Sequence, residues 1–371
     1  MYHRTLTFAC CSLVLLFGVV PALAQASNPV PSAAGAPGGE AKLVQPPPAR
    51  ASTPAIRRWL DVQAVQGSTR FRWNENSAGR VTTSAVQWQA QLRGRFLFDE
   101  AGRYHVGAFA TTGASFAGGW NNTGAGLGAF AHPFALRHLY VSAEPIKGLE
   151  FQAGGFAINR GLLGEPIAYD NDSYMVGERV TVRPARGAVT QVAITTGHFG
   201  DIREPNVFNR LDSMADINYG QALLGFKVGS RTTASLDLTH EAGRDIIREG
   251  LNFRMPASAK VLTLVRFEAY QRMEPDAAEG FNVGADAAIG KLAITAGVMS
   301  VDAAYGPYNG DRYETGTRYY ATLNYPLSSQ FALQLFHTKA FNIDFPIALA
   351  HRVDFVLIFN PTAALKRARV F

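Results

Sequence analysis

Residues 86–98 read VQWQAQLRGRFLF, and this stretch decides the fold. In an extended chain Val86, Trp88, Ala90, Leu92, Gly94, Phe96 and Phe98 fall on one side, and Gln87, Gln89, Gln91, Arg93 and Arg95 on the other. Side chains alternate across a strand, so this pattern is a strand with one apolar and one wet face. In a soluble sandwich such an apolar face packs on a second sheet. In a barrel it faces lipid.

Working outward, further segments carry the same reading at about 57–73, 103–117, 134–145, 149–158, 174–183, 188–198, 216–228, 231–242, 247–255, 260–272, 280–290, 292–300, 314–325, 330–340 and 351–359. Tight links separate alternate pairs, among them Asp99-Glu100-Ala101-Gly102, Ile146-Lys147-Gly148, Gly229-Ser230 and the Gly290-Lys291 junction. Their Gly, Asp and Ser are turn chemistry. The intervening links at 74–83, 118–133, 159–173, 199–215, 301–313 and 341–350 are long, and those at 243–246 and 273–279 are shorter. Short and long links take turns, as in an up-and-down barrel with tight turns on one rim and loops on the other. The predicted class is all-β: a transmembrane up-and-down antiparallel β-barrel of about 16 strands over residues 57–359. A four-bladed propeller would instead repeat with a period of about 40–50 residues, and the chain has no such repeat.

Composition agrees. Charged residues are 17%, below the roughly 25% of soluble domains, aromatics are 11%, and there are 36 glycines. Residues 1–24 read as a secretory signal: Arg4, an apolar core from Leu13 to Val20, then Ala22-Leu23-Ala24 as an A-x-A cleavage site. Both cysteines, Cys10 and Cys11, lie inside it, so disulfides and thiolate sites are excluded from the rest. Residues 25–56, with Pro46-Pro47-Pro48, are predicted to be a disordered periplasmic leader. No later run of 18 apolar residues occurs, which excludes transmembrane helices. The last well-patterned strand ends at Phe359, before Asn360-Pro361. Residues 360–371 are a short basic tail, although Phe371 supplies a terminal aromatic. Aromatics cluster at strand ends as two girdles: Trp59, Phe98, Tyr104, Tyr325, Phe331 and Phe359 at one rim, and Trp73, Phe116, Trp120, Tyr174 and Tyr270 at the other.

A barrel of this size leaves a water-filled lumen, so its chemistry belongs to the side chains that line it. The polar faces carry Arg93, Arg95, Arg179, Arg183, Lys227, Arg248, Arg254, Lys260, Arg266, Arg272, Arg318 and Arg352 against Asp237, Glu241, Glu268, Asp286 and Asp354. Cations in a low-dielectric wall concentrate anions. The pore-lining set is therefore Gln87, Gln89, Gln91, Arg93, Arg95, Arg179, Arg183, Arg266 and Arg318. The alternative is that these arginines only bridge neighbouring strands, as Arg266 and Glu268 suggest.

With this architecture over residues 57–359 the chain resembles the sixteen-stranded bacterial outer-membrane porins, and more weakly, through its arginine excess, the phosphate-selective porins. The resemblance implies that the third long link, NRGLLGEPIAYDNDS at 159–173, folds into the lumen. Its acids Glu165, Asp170 and Asp172 would then form a constriction facing wall arginines such as Arg93 and Arg95. It implies passive diffusion of small hydrophilic solutes, preferably anions, in the bacterial outer membrane, with outer-membrane lipid as surroundings and a homotrimer as the habitual assembly. The competing class is a barrel enzyme or an adhesion barrel with a filled lumen.

Other chemistry has little support. Asp170, Asp172 and Glu178 lack the glycine and spacing of a calcium loop. The eight histidines form no H-x3-H pair, so no metal site is expected. There is no G-x-S-x-G, and His240 on an apolar face has no serine that can be placed beside it. No cofactor, catalytic residue or nucleic-acid partner is indicated.

Overall fold

The computed structural model of the chain describes residues 59–114, 117–118, 121–122, 134–169, 173–201, 204–274, 278–302, 313–342 and 349–368. The signal, the leader, Phe116, Trp120, Asp170, Asp172 and Phe371 lie outside the described residues.

Sixteen antiparallel strands close into one barrel. In chain order they are β1 Leu60–Glu75, β2 Val81–Leu97, β3 Tyr104–Ala114, β4 Ala135–Ile146, β5 Leu149–Ala157, β6 Tyr174–Val182, β7 Val189–His198 and β8 Tyr219–Lys227. There follow β9 Thr232–Glu241, β10 Arg244–Arg254, β11 Leu262–Arg272, β12 Glu279–Ile289, β13 Leu292–Val301, β14 Gly316–Pro326, β15 Phe331–Asn342 and β16 His351–Phe359. Every strand pairs with its neighbours in sequence, and β16 returns to β1 in the register Gly67–Phe359 through Glu75–His351. Closure removes the free edges that an open sheet would have to protect. A two-residue ladder, Ala117–Gly118 with Asn121–Asn122, stands apart from the barrel sheet.

The period of two fixes what each strand shows to each side. Along β2 the side chains of Val86, Trp88, Leu92 and Phe96 are exposed, while Gln87, Gln89 and Arg95 are buried. The same phase exposes Phe71, Val141, Val180, Ile194, Leu238, Phe267, Val283, Val298, Leu335 and Phe355 around the outer wall. A continuous exposed apolar band of this kind has no place on a soluble monomer and is the lipid-facing surface of a membrane barrel. At the tight-turn rim Trp59, Phe98, Tyr104, Tyr325, Phe331 and Phe359 are all exposed, and Phe331 stacks on Phe359 with ring centroids 4.9 Å apart.

The other rim departs from the sequence reading. Tyr270 faces inward and packs with Ile246, Met299, Tyr320 and Phe336. Tyr174 is fully buried beneath the segment between β7 and β8. That segment carries a short helix, α1 (Phe208–Leu211), and folds back over the wall at β4 to β6. Val207 packs on Tyr174 and Val176 and donates its N–H to the Leu136 carbonyl at 2.7 Å. Arg210 is buried there and donates to the carbonyls of Tyr174, Phe199, Asp201 and Glu204. Neither tyrosine belongs to a girdle, because inward phase in one case and a covering loop in the other removes it from the outer surface. The link expected at 243–246 is shorter than read. β10 begins at Arg244, leaving Ala242 (φ 49°) and Gly243 (φ 81°) as a two-residue hairpin turn.

Beyond Phe359 the basic tail forms a short helix, α2 (Thr362–Arg367), at the tight-turn rim. Thr362 ties it to β1: its hydroxyl accepts from the Val65 N–H at 2.8 Å and donates to the Val65 carbonyl at 3.0 Å.

Because every barrel strand is paired on both sides, the folded protein should resist SDS at room temperature and shift on a gel only after boiling. A band whose mobility is the same before and after heating would contradict the closed barrel.

Candidate functional site: the barrel interior

The inner wall of β16, β1 and β2 carries a bank of arginines. Arg72 donates to both oxygens of Asp354 at 2.9 and 3.1 Å, and Arg352 donates to the same carboxylate at 3.0 and 2.7 Å. Arg70 lies 3.7 Å from it and donates to Gln87 Oε1 at 2.8 Å. Three guanidiniums thus meet at one aspartate. On β2, Arg95 donates to Asp61 at 2.7 and 3.2 Å. Arg93 lies on the same interior face with its guanidinium 4.6 Å from the Phe109 ring centroid, and it remains exposed. An exposed side chain on the interior face of a closed barrel marks open lumen.

The opposite wall is covered. The segment from β5 to β6, through Tyr169, lies inside the barrel against β8 to β14. It leaves β5 with Asn159, whose carbonyl accepts from Gln221 Nε2 at 2.8 Å. Gly161 adopts φ +59°, and a Cβ there would stand 2.9 Å from Leu223 Cδ1, so both backbone and space call for glycine. Leu163 packs over Gly250 of β10. The Gly164 N–H donates to Glu268 Oε1 at 2.5 Å, while Asn282 Nδ2 donates to the other oxygen at 2.7 Å. Ile167 enters an apolar cluster with Ile246, Tyr270, Met299, Tyr320 and Phe336. Tyr169 donates its hydroxyl to Glu241 Oε2 at 2.6 Å. Burial keeps that phenol well above its usual range, so it stays protonated and remains a donor.

Beneath Tyr169 lies a buried ionic group. Arg248 stands 3.4 Å from Glu241, 3.9 Å from Asp237 and 3.2 Å from the Tyr169 hydroxyl, with its guanidinium 4.5 Å from the Tyr169 ring centroid. Asp237 also accepts from Gln221 at 3.0 Å and Thr239 at 2.5 Å. Arg248, Asp237 and Glu241 are completely buried. One cation holds two carboxylates, and all three hold the loop.

The residues singled out from sequence distribute as follows. Gln87, Gln89, Arg95, Arg179 and Arg318 are buried on the interior side, Gln91 and Arg266 are half-buried, and Arg93 is exposed. Arg179 donates to Thr195, Gln152 and the Ala157 carbonyl and lies over Phe156. Arg183 bridges to Glu150 at 2.8 Å, and Arg266 to Asp286. Arg318 is completely enclosed, with one nitrogen on the carbonyls of Thr315 and Leu349, so it braces the wall instead of bordering open space. Glu165 is buried in the inward loop beside Gly164, on the β11 side, well around the wall from Arg93 and Arg95. Sequence reasoning missed Arg70 and Arg72. The alternation of Ser68, Arg70 and Arg72 with Thr69, Phe71 and Trp73 carries the same signal as β2.

No family model matches the chain, and no curated protein sequence matches it. Solved structures do. The barrel is similar to OmpF of Salmonella typhi, solved as a complex with daunomycin, with a TM-score of 0.54 and 8% identity over 81% of this chain and 97% of that one. It is also similar to a mutant of the Rhodopseudomonas blastica porin, with a TM-score of 0.50 and 11% identity over 80% of this chain and 99% of that one. At such identity the likeness is one of fold, and the fold is that of a sixteen-stranded porin.

Proposed function

We propose that the protein is a passive channel of the bacterial outer membrane, admitting small hydrophilic solutes through the lumen with a weak preference for anions. The observation that carries this reading is the division of the interior. One wall is packed by the inward loop, while the other carries Arg70, Arg72, Arg93, Arg95 and Arg352 with Asp354 and Asp61, and Arg93 is exposed there. Fixed positive charge in a narrow aqueous path enriches anions and repels cations. The selection is by size and field, with no turnover and no energy coupling. Glu165, with Asp170 and Asp172 in the same loop, would supply the opposing negative side of a transverse field.

Arg93 is the residue to test, because it is exposed on the interior face. Arg93→Glu changes the local charge by two units within a Debye length, about 8 Å at physiological salt. The reversal potential of single channels in a salt gradient should move toward cations, most strongly at low salt. A variant that inserts normally and keeps its original selectivity would show that Arg93 does not border the narrow part of the path.

A further inference from the structure

The tight-turn rim is unevenly charged. Between β6 and β13 its four links read RPARGA at 183–188, VGSR at 228–231, MPASAKV at 255–261 and GK at 290–291, and none of them contains Asp or Glu. They carry Arg186, Arg231, Lys260 and Lys291, while Lys227 and Arg254 end the strands beside them; all six side chains are exposed. Among the described residues none of these six makes an ion pair, whereas Arg183 in the first link is bridged to Glu150 at 2.8 Å. Elsewhere the same rim mixes its signs: Asp99 and Glu100 stand with Arg103, and Asp61 lies 3.8 Å from Lys366. The six cations adjoin the apolar outer wall. Val228, Phe253, Val261 and Ile289 are exposed, one or two residues from Lys227, Arg254, Lys260 and Lys291. Links this short cannot carry a charge far from the end of the apolar band, so the cations lie at the level of lipid headgroups.

We propose that this arc of the rim, from β6 to β13, binds the headgroups of anionic phospholipids in the leaflet that surrounds it. Long basic side chains lay their methylenes along apolar surface and hold the charge at the interface, and clustered Lys and Arg beside a bilayer favour net-negative headgroups. The guanidiniums of Arg186 and Arg231 can take a phosphate with two parallel hydrogen bonds, and the lysines meet it as point charges. A zwitterionic headgroup brings its own ammonium. A net-negative one leaves its phosphate charge to be met by the protein. The shape of the arc favours lipid over a soluble acidic protein. It runs round eight of the sixteen strands, as a shell of lipids would touch it one molecule at a time, whereas a protein partner needs a compact patch. The surface depends on the barrel standing in a membrane and not on conduction, so it stands or falls apart from the channel reading.

The test uses the full-length protein reconstituted in phosphatidylcholine bilayers, with the heat shift on a gel as the control for folding. Spin-labelled phosphatidylglycerol and spin-labelled phosphatidylcholine are the probes, and the fraction of each that the protein immobilises gives their relative association constant. A basic residue at an anionic lipid surface is worth about fivefold in association. The wild type should therefore prefer phosphatidylglycerol about fivefold or more at low salt, and the preference should vanish near 1 M salt, where the Debye length is about 3 Å. The variant Arg186→Gln, Arg231→Gln, Lys260→Gln and Lys291→Gln should lose most of that preference, while Arg103→Gln on the mixed side of the rim should keep it. A wild type with no preference overturns the proposal, and that measurement needs no variant to fold. A preference unchanged in the fourfold variant, or lost equally in Arg103→Gln, overturns the assignment to this arc. Retention of the wild type on immobilised polyglutamate, without any lipid preference, would mean that the arc takes a soluble acidic partner and would overturn the lipid surface.

Discussion

Replacing Gly161–Tyr169 by two glycines should raise single-channel conductance about twofold or more, since the passage of ions through a pore is governed by its narrowest section. The segment lies inside the barrel and spans the interior faces of β8 to β14, reaching Leu223, Gly250, Glu268 and Glu241 in turn. The shortened link has an easy path. Ala157 and Tyr174, the last paired residues before and after the link, are register partners on adjacent strands, so the residues that remain suffice to join them. The barrel should therefore close as before, and its heat-modifiable band should persist. Removing the loop also strips the cover from Arg248, Glu241 and Glu268, which then meet water in place of the loop's hydroxyl and amide. Unchanged conductance in a folded variant would mean that the narrow section lies elsewhere.

Arg248→Met should have the largest effect on stability. The guanidinium is the only charged partner of Asp237 and Glu241 among the contacts the structure records, and all three groups are fully buried. Removing one member of a buried ionic group leaves an uncompensated charge and costs about 3–5 kcal/mol. Here two carboxylates on one strand, two positions from Thr239 on either side, would be left facing each other through that gap. One must take up a proton or the loop must lift away to admit water. The measurement is the urea midpoint of the detergent-refolded barrel, with single-channel recording alongside it. A lower midpoint together with noisier or larger conductance is expected, because Tyr169 loses the group it stacks on as well as its neighbour. An unaltered midpoint would show that the ionic group does not hold the loop. Replacing Arg248, Asp237 and Glu241 together by apolar residues of similar volume should recover much of the loss, since a buried ion pair competes poorly with a packed apolar one.

The strands and their phase were legible in the chain because both depend on neighbours two residues apart. Val86 to Phe98 announces a lipid face and a wet face with no reference to any other segment, and the same rule places Arg93, Arg95 and Gln87 inside. Tight turns are equally local, and the rim of exposed aromatics from Trp59 to Phe359 follows from where the strands end. Arg70 and Arg72 were within reach of the same rule. The interior contacts were not. Whether a polar side chain on the inner face lines open water or disappears depends on what crosses the lumen, and Arg93 and Arg318 have the same local signature but opposite surroundings.

By itself, then, the sequence determined a barrel of sixteen strands, the face each residue shows, and the rim that carries the long links, because the pleat converts alternation directly into inside and outside. Only the tertiary structure decided the rest. It sent the third long link inward onto Glu241 and Glu268, and folded the next one outward over Tyr174 and Val176. It also brought His337 to His351 across a loop that keeps them fourteen residues apart in the chain. Each of these rests on contacts between segments distant in sequence. The energy of such a contact is set by register, closure and packing around the whole ring, and no window of neighbouring residues contains it.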